Sequence, residues 1–237
     1  AGMADYRMYA GKPVVIKPKS TNFGLGITIL KHNYDETDFK AALQIAFEHD
    51  NTLLIEKFIP GREFRIFIIN DEVVGILHRV PANVTGDGVL NIGQLIDRKN
   101  EDPLRGKGYR TPLEKIRKGR EEEMFLKQQG MDFNTVPKEG EVVYLRENSN
   151  ISTGGDSIDF TDDIDDSYKA IAVEAAKALN VKITGLDMMI QDIHAPATPD
   201  NYAIIEMNFN PAIHIHCYPF KGKNRHLNHK MIRALGF

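Results

Sequence analysis

Apolar and polar residues fall along the chain in short blocks whose period switches from strand to helix and back. Residues 13–19 make an apolar strand around Val14, Val15 and Ile16, and a second apolar run ends at Leu30. Over residues 38–49 the spacing lengthens. Phe39, Ala42, Leu43, Ala46 and Phe47 then form one stripe of an amphipathic helix. Strand-like blocks return at residues 53–59, 63–69 and 73–80, broken by Pro60-Gly61 and by the turn Asn70-Asp71. Residues 97–140 are charged and interrupted by Pro103, Gly106, Gly108 and Pro112, with one helix expected near 120–129. The rest of that segment reads as peripheral and irregular, which in a compact domain points to a pocket rim or a partner surface. A strand follows at 142–146. A second amphipathic helix spans 162–179, starting near Asp165 or Asp166, with Tyr168, Ile171, Ala172, Ala175 and Leu179 on its stripe and Asn180 as its stop. Two apolar strands, 185–189 and 203–211, flank the turn-rich stretch 195–201 as a hairpin, and a short helix closes the chain at 228–235.

That hairpin carries the clearest candidate chemistry. In a strand, residues i and i+2 share a face, so Glu206, Asn208 and Asn210 project together, and pairing brings Asp187 alongside. Two carboxylates and an amide oxygen are hard ligands that suit Mg²⁺, with Mn²⁺ as an alternative. The competing reading is a solvated strand face. Either acid taken singly fits that reading; their placement inside apolar strands favours the metal. His214 and His216 are read on one strand face near this stretch, lining a pocket, and His194 as a loop residue.

Near the start, Lys17 and Lys19 precede a polar loop, residues 20–27, that contains Gly24 and Gly26. Glycines let backbone amides approach phosphate oxygens while a lysine supplies charge. The loop joins strand to strand, which excludes the Rossmann and Walker patterns, since both open a helix at the glycines. An ordinary glycine hairpin with surface lysines is the alternative. Pro60-Gly61 reads as a hinge. Main-chain groups beside it could meet a nucleotide base, with Glu56 accepting from an amino group and Glu63 from ribose hydroxyls. Arg79 ends a strand. Residues 147–156, with Gly154 and Gly155, form a loop whose amides suit an oxyanion or carboxylate, or else a plain turn.

Composition narrows the class. The 237 residues are 42% hydrophobic and 27% charged, long enough for two lobes, expected at 1–60 and 61–237. No run approaches the roughly 20 apolar residues of a membrane span. Cys217 is the single cysteine, so neither an internal disulfide nor a cysteine zinc site forms. The formal charge of −3 gives no global field for nucleic acid or for a membrane. A cytoplasmic location is expected, and Ala1-Gly2-Met3 reads as an expression scar.

The order of these parts resembles the ATP-grasp ligases. The stretches 17–27, 102–106 (Asp-Pro-Leu-Arg-Gly), 148–159 and 206–211 (Glu-Met-Asn-Phe-Asn-Pro) are most similar to the glutathione synthetase module of the bifunctional glutamate–cysteine ligase/glutathione synthetases. Cyanophycin synthetases share 102–106 and 150–155 but match less well at 20–26 and after Asn208. The resemblance implies an α+β ATP-grasp fold, two lobes with mainly antiparallel sheets clamping ATP. It implies that the carboxylate of γ-glutamylcysteine is phosphorylated and that the amine of glycine then displaces phosphate to give glutathione. Lys17, Lys19, Asn22, Gly24 and Gly26 would serve the phosphates, and Glu56, Lys57, Phe58, Ile59 and Glu63 the adenosine. Asp187, Glu206 and Asn208 would hold two Mg²⁺ ions. Arg79 and Arg146 would face the acyl phosphate and oxyanion, since Gly185 stands where some relatives carry arginine. Asn150, Ser152, Thr153 and Gly154 would meet substrate. The family carries further chain before Lys17, including a nucleotide-contacting lysine and a glutamate–cysteine ligase domain. The expectation is therefore an excised module or stand-alone relative with weakened nucleotide binding. A homodimer is allowed but not specified. The other readings are a different peptide ligase on the same scaffold and a nucleotide-binding module without activity.

Overall fold

The computed structural model describes residues 5–20, 26–31 and 33–237. The chain divides into two compact units, Ala1–Pro60 and Gly61–Phe237. In the first, β1 (Val14–Pro18) is the middle strand of an antiparallel sheet between β2 (Thr28–Leu30) and β3 (Leu53–Lys57). Helix α1 (Glu36–Phe47) covers one face and buries Phe39, Ala42, Leu43 and Ala46 against Val14 and Ile16. It begins two residues before the apolar spacing suggests. Asp35 accepts from the amides of Thr37 (2.7 Å) and Asp38 (2.9 Å), and Asp38 accepts from the Asp35 amide (3.1 Å), so a capping box fixes the start. Phe47, expected on the stripe, is exposed.

The second unit is built on a five-stranded antiparallel sheet. Its strands in chain order are β4 (Arg62–Ile69) and β5 (Glu72–Val80), then β10 to β12, with an inserted subdomain between. Asn70 and Asp71 both adopt positive φ (47° and 65°), the two-residue turn whose twist suits a hairpin. The insertion holds β6 (Asn83–Thr85), α2 (Ile92–Lys99), β7 (Arg105–Gly106), β8 (Leu113–Glu114), α3 (Arg120–Gln128) and β9 (Val142–Tyr144). Strand β10 (Asp156–Asp159) pairs with β5, helix α4 (Asp166–Ala178) follows, and β11 (Ile183–Ile190) and β12 (Tyr202–Asn208) complete the sheet in the order β10-β5-β4-β11-β12. The short α5 (His214–Cys217) and α6 (Leu227–Ala234) end the chain.

Alternation sets the two faces of that sheet. Phe64, Ile66, Ile68, Leu186, Met188 and Ile190 point toward α4, where Tyr168, Ala172 and Ala176 seal the main core. Ala176 takes the place expected for Leu179, which is exposed beyond the last helical turn. Asn180 at φ 53° stops the helix as expected. On the other face Phe67, Ile69 and Val74 pack under Cys217 and Leu227, leaving the neighbouring positions to charged side chains.

Two expectations are corrected here. Residues 97–140 are not merely peripheral: Ile116 and Leu126 close a second core with Ala82, Val84, Ile92, Leu95, Ile96, Val143 and Leu145. Helix α2 was hidden because it is eight residues long and three apolar side chains carry its packing; its start is a capping box of Asn91 and Gln94. His214 and His216 lie on helix α5, not on a strand, because β12 ends at Asn208 and Pro211 follows.

Candidate functional site

On the charged face of the five-stranded sheet, Asp187 of β11 stands directly across from Glu206 of β12 on one side and from Arg65 of β4 on the other. Asp187 is 2% exposed. Its Oδ1 accepts from Arg65 Nε, and its Oδ2 accepts from Arg65 Nη2 (2.8 Å) and Arg79 Nη2 (3.0 Å). Burial alone would raise its pKa, but the hydrogen bond from Arg65 and the charges of Arg79 and Arg65 outweigh that and hold it below the ordinary 3.8. Arg79 also pairs with Glu63, whose second oxygen accepts from Ser149 Oγ at 2.5 Å. Asn208 Nδ2 donates to Glu206 Oε1 at 3.1 Å, and the carbonyl of Asn208 accepts from Thr184 Oγ1 at 2.9 Å, which fastens the end of β12.

Gly185 makes this packing possible. A Cβ there would sit 3.0 Å from Arg65 Cδ and 2.8 Å from Pro211 Cβ, so any side chain would displace the arginine stem. Arg65 is the member that sequence reasoning left out. Its signal was available: it lies two residues after Glu63 in an otherwise apolar strand, and therefore on the same face.

Among the described residues no three His, Cys, Asp or Glu side chains gather as a metal site. Asp187 and Glu206 in register, with Asn208 touching Glu206, still make a hard-oxygen set of the size that holds Mg²⁺ together with phosphates and water. Before Asp187 can ligate a cation, its oxygens must be shared with, or released by, two arginines.

The other expected residues are placed as follows. Arg146 pairs with Glu122, which is buried, and with Glu121, on the inserted subdomain. In the stretch 147–156, Ile151–Thr153 form a short 3-10 helix, and Gly154 at φ 94° closes it. The amides of Thr153, Gly154 and Gly155 donate within this turn, to Asn150 O, Ile151 O and Asn150 O, so they are not open to an anion as expected. Thr153 Oγ1 donates to Asn148 Oδ1 (2.9 Å). The side chains of Asn150 and Ser152 make no hydrogen bond among the described residues.

In the first unit, Lys17 Nζ lies 2.6 Å from Glu56 Oε2. Lys19 is exposed, and its amide donates to Thr52 O. Asn22 and Gly24 lie outside the described residues. Gly26 has φ 74°, and a Cβ there would meet His49 at 2.7 Å and Pro18 at 2.8 Å. The Phe58 amide donates to Pro13 O at 2.9 Å, and Lys31 Nζ lies 5.4 Å from the centre of the Phe58 ring. Lys57 is exposed and Ile59 half-buried. No helix among the described residues is long and apolar enough to cross a membrane.

His216 lies beside this face. It is fully buried against Phe67, and neither ring nitrogen has a partner among the described residues. Burial, with the Arg65 charge nearby, pushes its pKa down to about 3.

A family profile described as the D-ala D-ala ligase C-terminus matches residues 3–91. The glutathione biosynthesis bifunctional protein of Desulfotalea psychrophila is 63% identical over 235 residues, covering 99% of this chain and 30% of that protein. The protein of the same name from Clostridium perfringens is 57% identical over 231 residues, covering 98% of this chain and 30% of that protein. The crystal structure of a bifunctional glutathione synthetase from Pasteurella multocida superposes with a TM-score of 0.73 at 46% identity, covering 97% of this chain and 32% of that one. The chain thus spans about 30% of the length of the relatives it matches.

Proposed function

Because the chain belongs to the ATP-grasp ligases, as the part that corresponds to the C-terminal ligase domain of the bifunctional glutathione biosynthesis proteins, we propose that it joins γ-glutamylcysteine to glycine. The observation that carries this reading is Asp187 in register with Glu206 and flanked by Arg65 and Arg79, a carboxylate and guanidinium array suited to an anionic phosphoryl group and the carboxylate that receives it.

Arg79 and Arg65 orient the dipeptide carboxylate and hold the oxyanion that forms when the amine of glycine attacks. Asp187, Glu206 and Asn208 hold Mg²⁺ or Mn²⁺, which when bound supplies charge neutralisation on the transferred phosphoryl group. Lys17, Lys19, Asn22, Gly24 and Gly26 serve the phosphates of ATP; Glu56, Lys57, Phe58, Ile59 and Glu63 serve its adenosine. Asn150 and Ser152 meet the peptide, with Thr153 and Gly154, whose own groups are bonded within the turn and to Arg105, shaping the loop that carries them, and Arg146 braces the inserted subdomain. The companion activity, glutamate–cysteine ligation, belongs to a fused domain, and both work in the cytoplasm.

The test is ADP release. Turnover that needs ATP, Mg²⁺, a γ-glutamyl dipeptide and glycine together is the expected result. Turnover with another carboxylate and amine pair, but none with this one, rejects the substrate assignment.

A further inference from the structure

The sequence singles out Asp102-Pro103-Leu104-Arg105-Gly106, yet no catalytic step above uses it. In the structure Arg105 is 4% exposed and reaches three partners at once. Its Nη1 donates to Glu114 O and to Gly154 O, both at 2.9 Å, and its Nη2 pairs with Asp156. Asp156 in turn accepts from Lys99 Nζ (2.7 Å) and Asn83 Nδ2 (3.0 Å), and Lys99 also donates to Asn83 O (2.9 Å) and Oδ1 (3.0 Å). Phe220 lies 5.3 Å from the ammonium and 5.5 Å from the guanidinium. The cluster therefore joins β6, α2, β7 and β10 behind the loop of residues 147–155.

We propose that Arg105 is a positioning residue: with Asp156 and Lys99 it fixes the far end of that loop, so that Asn150 and Ser152 are presented to the dipeptide substrate. The proposal rests on the ligase reading for what the loop binds, but not for what holds it.

The loop is tied at both ends, and the two ties differ. At its start, Ser149 bonds Glu63, which pairs with Arg79 and so belongs to the Asp187 array. At its end, the carbonyl of Gly154 takes the Arg105 fork. A Cβ on Gly154 would come 2.8 Å from Ile116 Cα, and one on Gly155 would come 2.7 Å from Val80 O, so the chain lies between two backbones and cannot shift sideways. Arg79 is the residue before Val80. A loop held this closely passes a displacement at Gly154 to the neighbouring Asn150 and Ser152, and small misplacements there cost affinity for the dipeptide.

Lysine cannot replace the guanidinium, because one ammonium has neither the span nor the planar fork to serve Glu114 O, Gly154 O and Asp156 together. In Arg105→Lys the KM for the γ-glutamyl dipeptide rises about tenfold, the loss of one charge-assisted hydrogen bond, while kcat and the KM for ATP stay within about twofold. Hydrogen exchange of the 153–155 amides speeds up by a similar factor, with the β4 and β11 amides unchanged. Should that variant fold poorly, Arg105→Met leaves Lys99 and Asp156 as a matched pair and gives the same two readouts. Unchanged exchange at 153–155, or a KM for ATP that rises as much as that for the dipeptide, overturns the proposal. If the unmutated chain releases no ADP with dipeptide and glycine, the ligase reading fails, and the exchange measurement still decides what Arg105 does.

Discussion

Asp187 and Asp156 are both buried carboxylates set between two cations, and they do opposite work. Asp156 has Arg105 and Lys99, which also donate to the carbonyls of Glu114, Gly154 and Asn83, and the Phe220 ring beside both cations. Asp187 has Arg65 and Arg79, but beside these lie two more acids, Glu63 and the exposed Glu206. In the first group two cations share one carboxylate and hydrogen-bond to fixed partners on neighbouring elements, and it serves as scaffold. The second has surplus carboxylate within reach of its arginines, which is what the proposed role in holding a metal ion requires. Burial is nearly the same for the two carboxylates; what separates the groups is the balance of charge and the solvent-facing Glu206 in register with Asp187.

The largest expected effect comes from breaking the Asp156 cluster. Asp156→Asn leaves two buried cations without a carboxylate and lowers unfolding free energy in urea by about 3–5 kcal/mol. Asp187→Asn costs less in the same assay, because Arg79 keeps Glu63 as its carboxylate partner. Equal losses would erase the distinction drawn here.

A smaller effect sharpens the contrast through pH. His216 is buried neutral beside the Asp187 face, with its pKa moved from 6.5 to about 3. Between those values the unfolded chain takes a proton that the folded chain refuses. Stability is therefore present above pH 6.5 and falls as pH drops toward 3, by about 1.4 kcal/mol per pH unit at most from this group. His216→Leu flattens that part of the urea-midpoint profile. A profile unchanged by the substitution would show that the imidazole is not held neutral.

What the sequence disclosed follows the same division. Strand alternation and turn residues carried the whole β4–β5 hairpin and the β11–β12 pair, and with them the meeting of Asp187, Glu206 and Asn208, because a period of two leaves little freedom once one face is apolar. Helix α4 was legible from its stripe and from Asp165 at its cap. Of the inserted subdomain only α3 and β9 were legible; its other elements and its core were not. Its elements are two to nine residues long, and its core joins Ala82 to Leu145 across 63 positions, so no local period announces it. Arg65 escaped for a different reason: a charge in an apolar strand has no assigned partner until the neighbouring strand is known. The ties of Gly154 and Arg105 are likewise contacts between distant segments, and the sequence could flag residues 102–106 without saying what they hold.

The most direct test of the central claim is Mn²⁺ binding, read by electron paramagnetic resonance in the presence of a non-hydrolysable ATP analogue. The account predicts that Asp187→Asn weakens the bound Mn²⁺ signal by about a hundredfold in affinity, while Asp156→Asn, in whatever fraction remains folded, binds Mn²⁺ as the unmutated chain does. Equal Mn²⁺ affinity in the unmutated chain and in Asp187→Asn would contradict it.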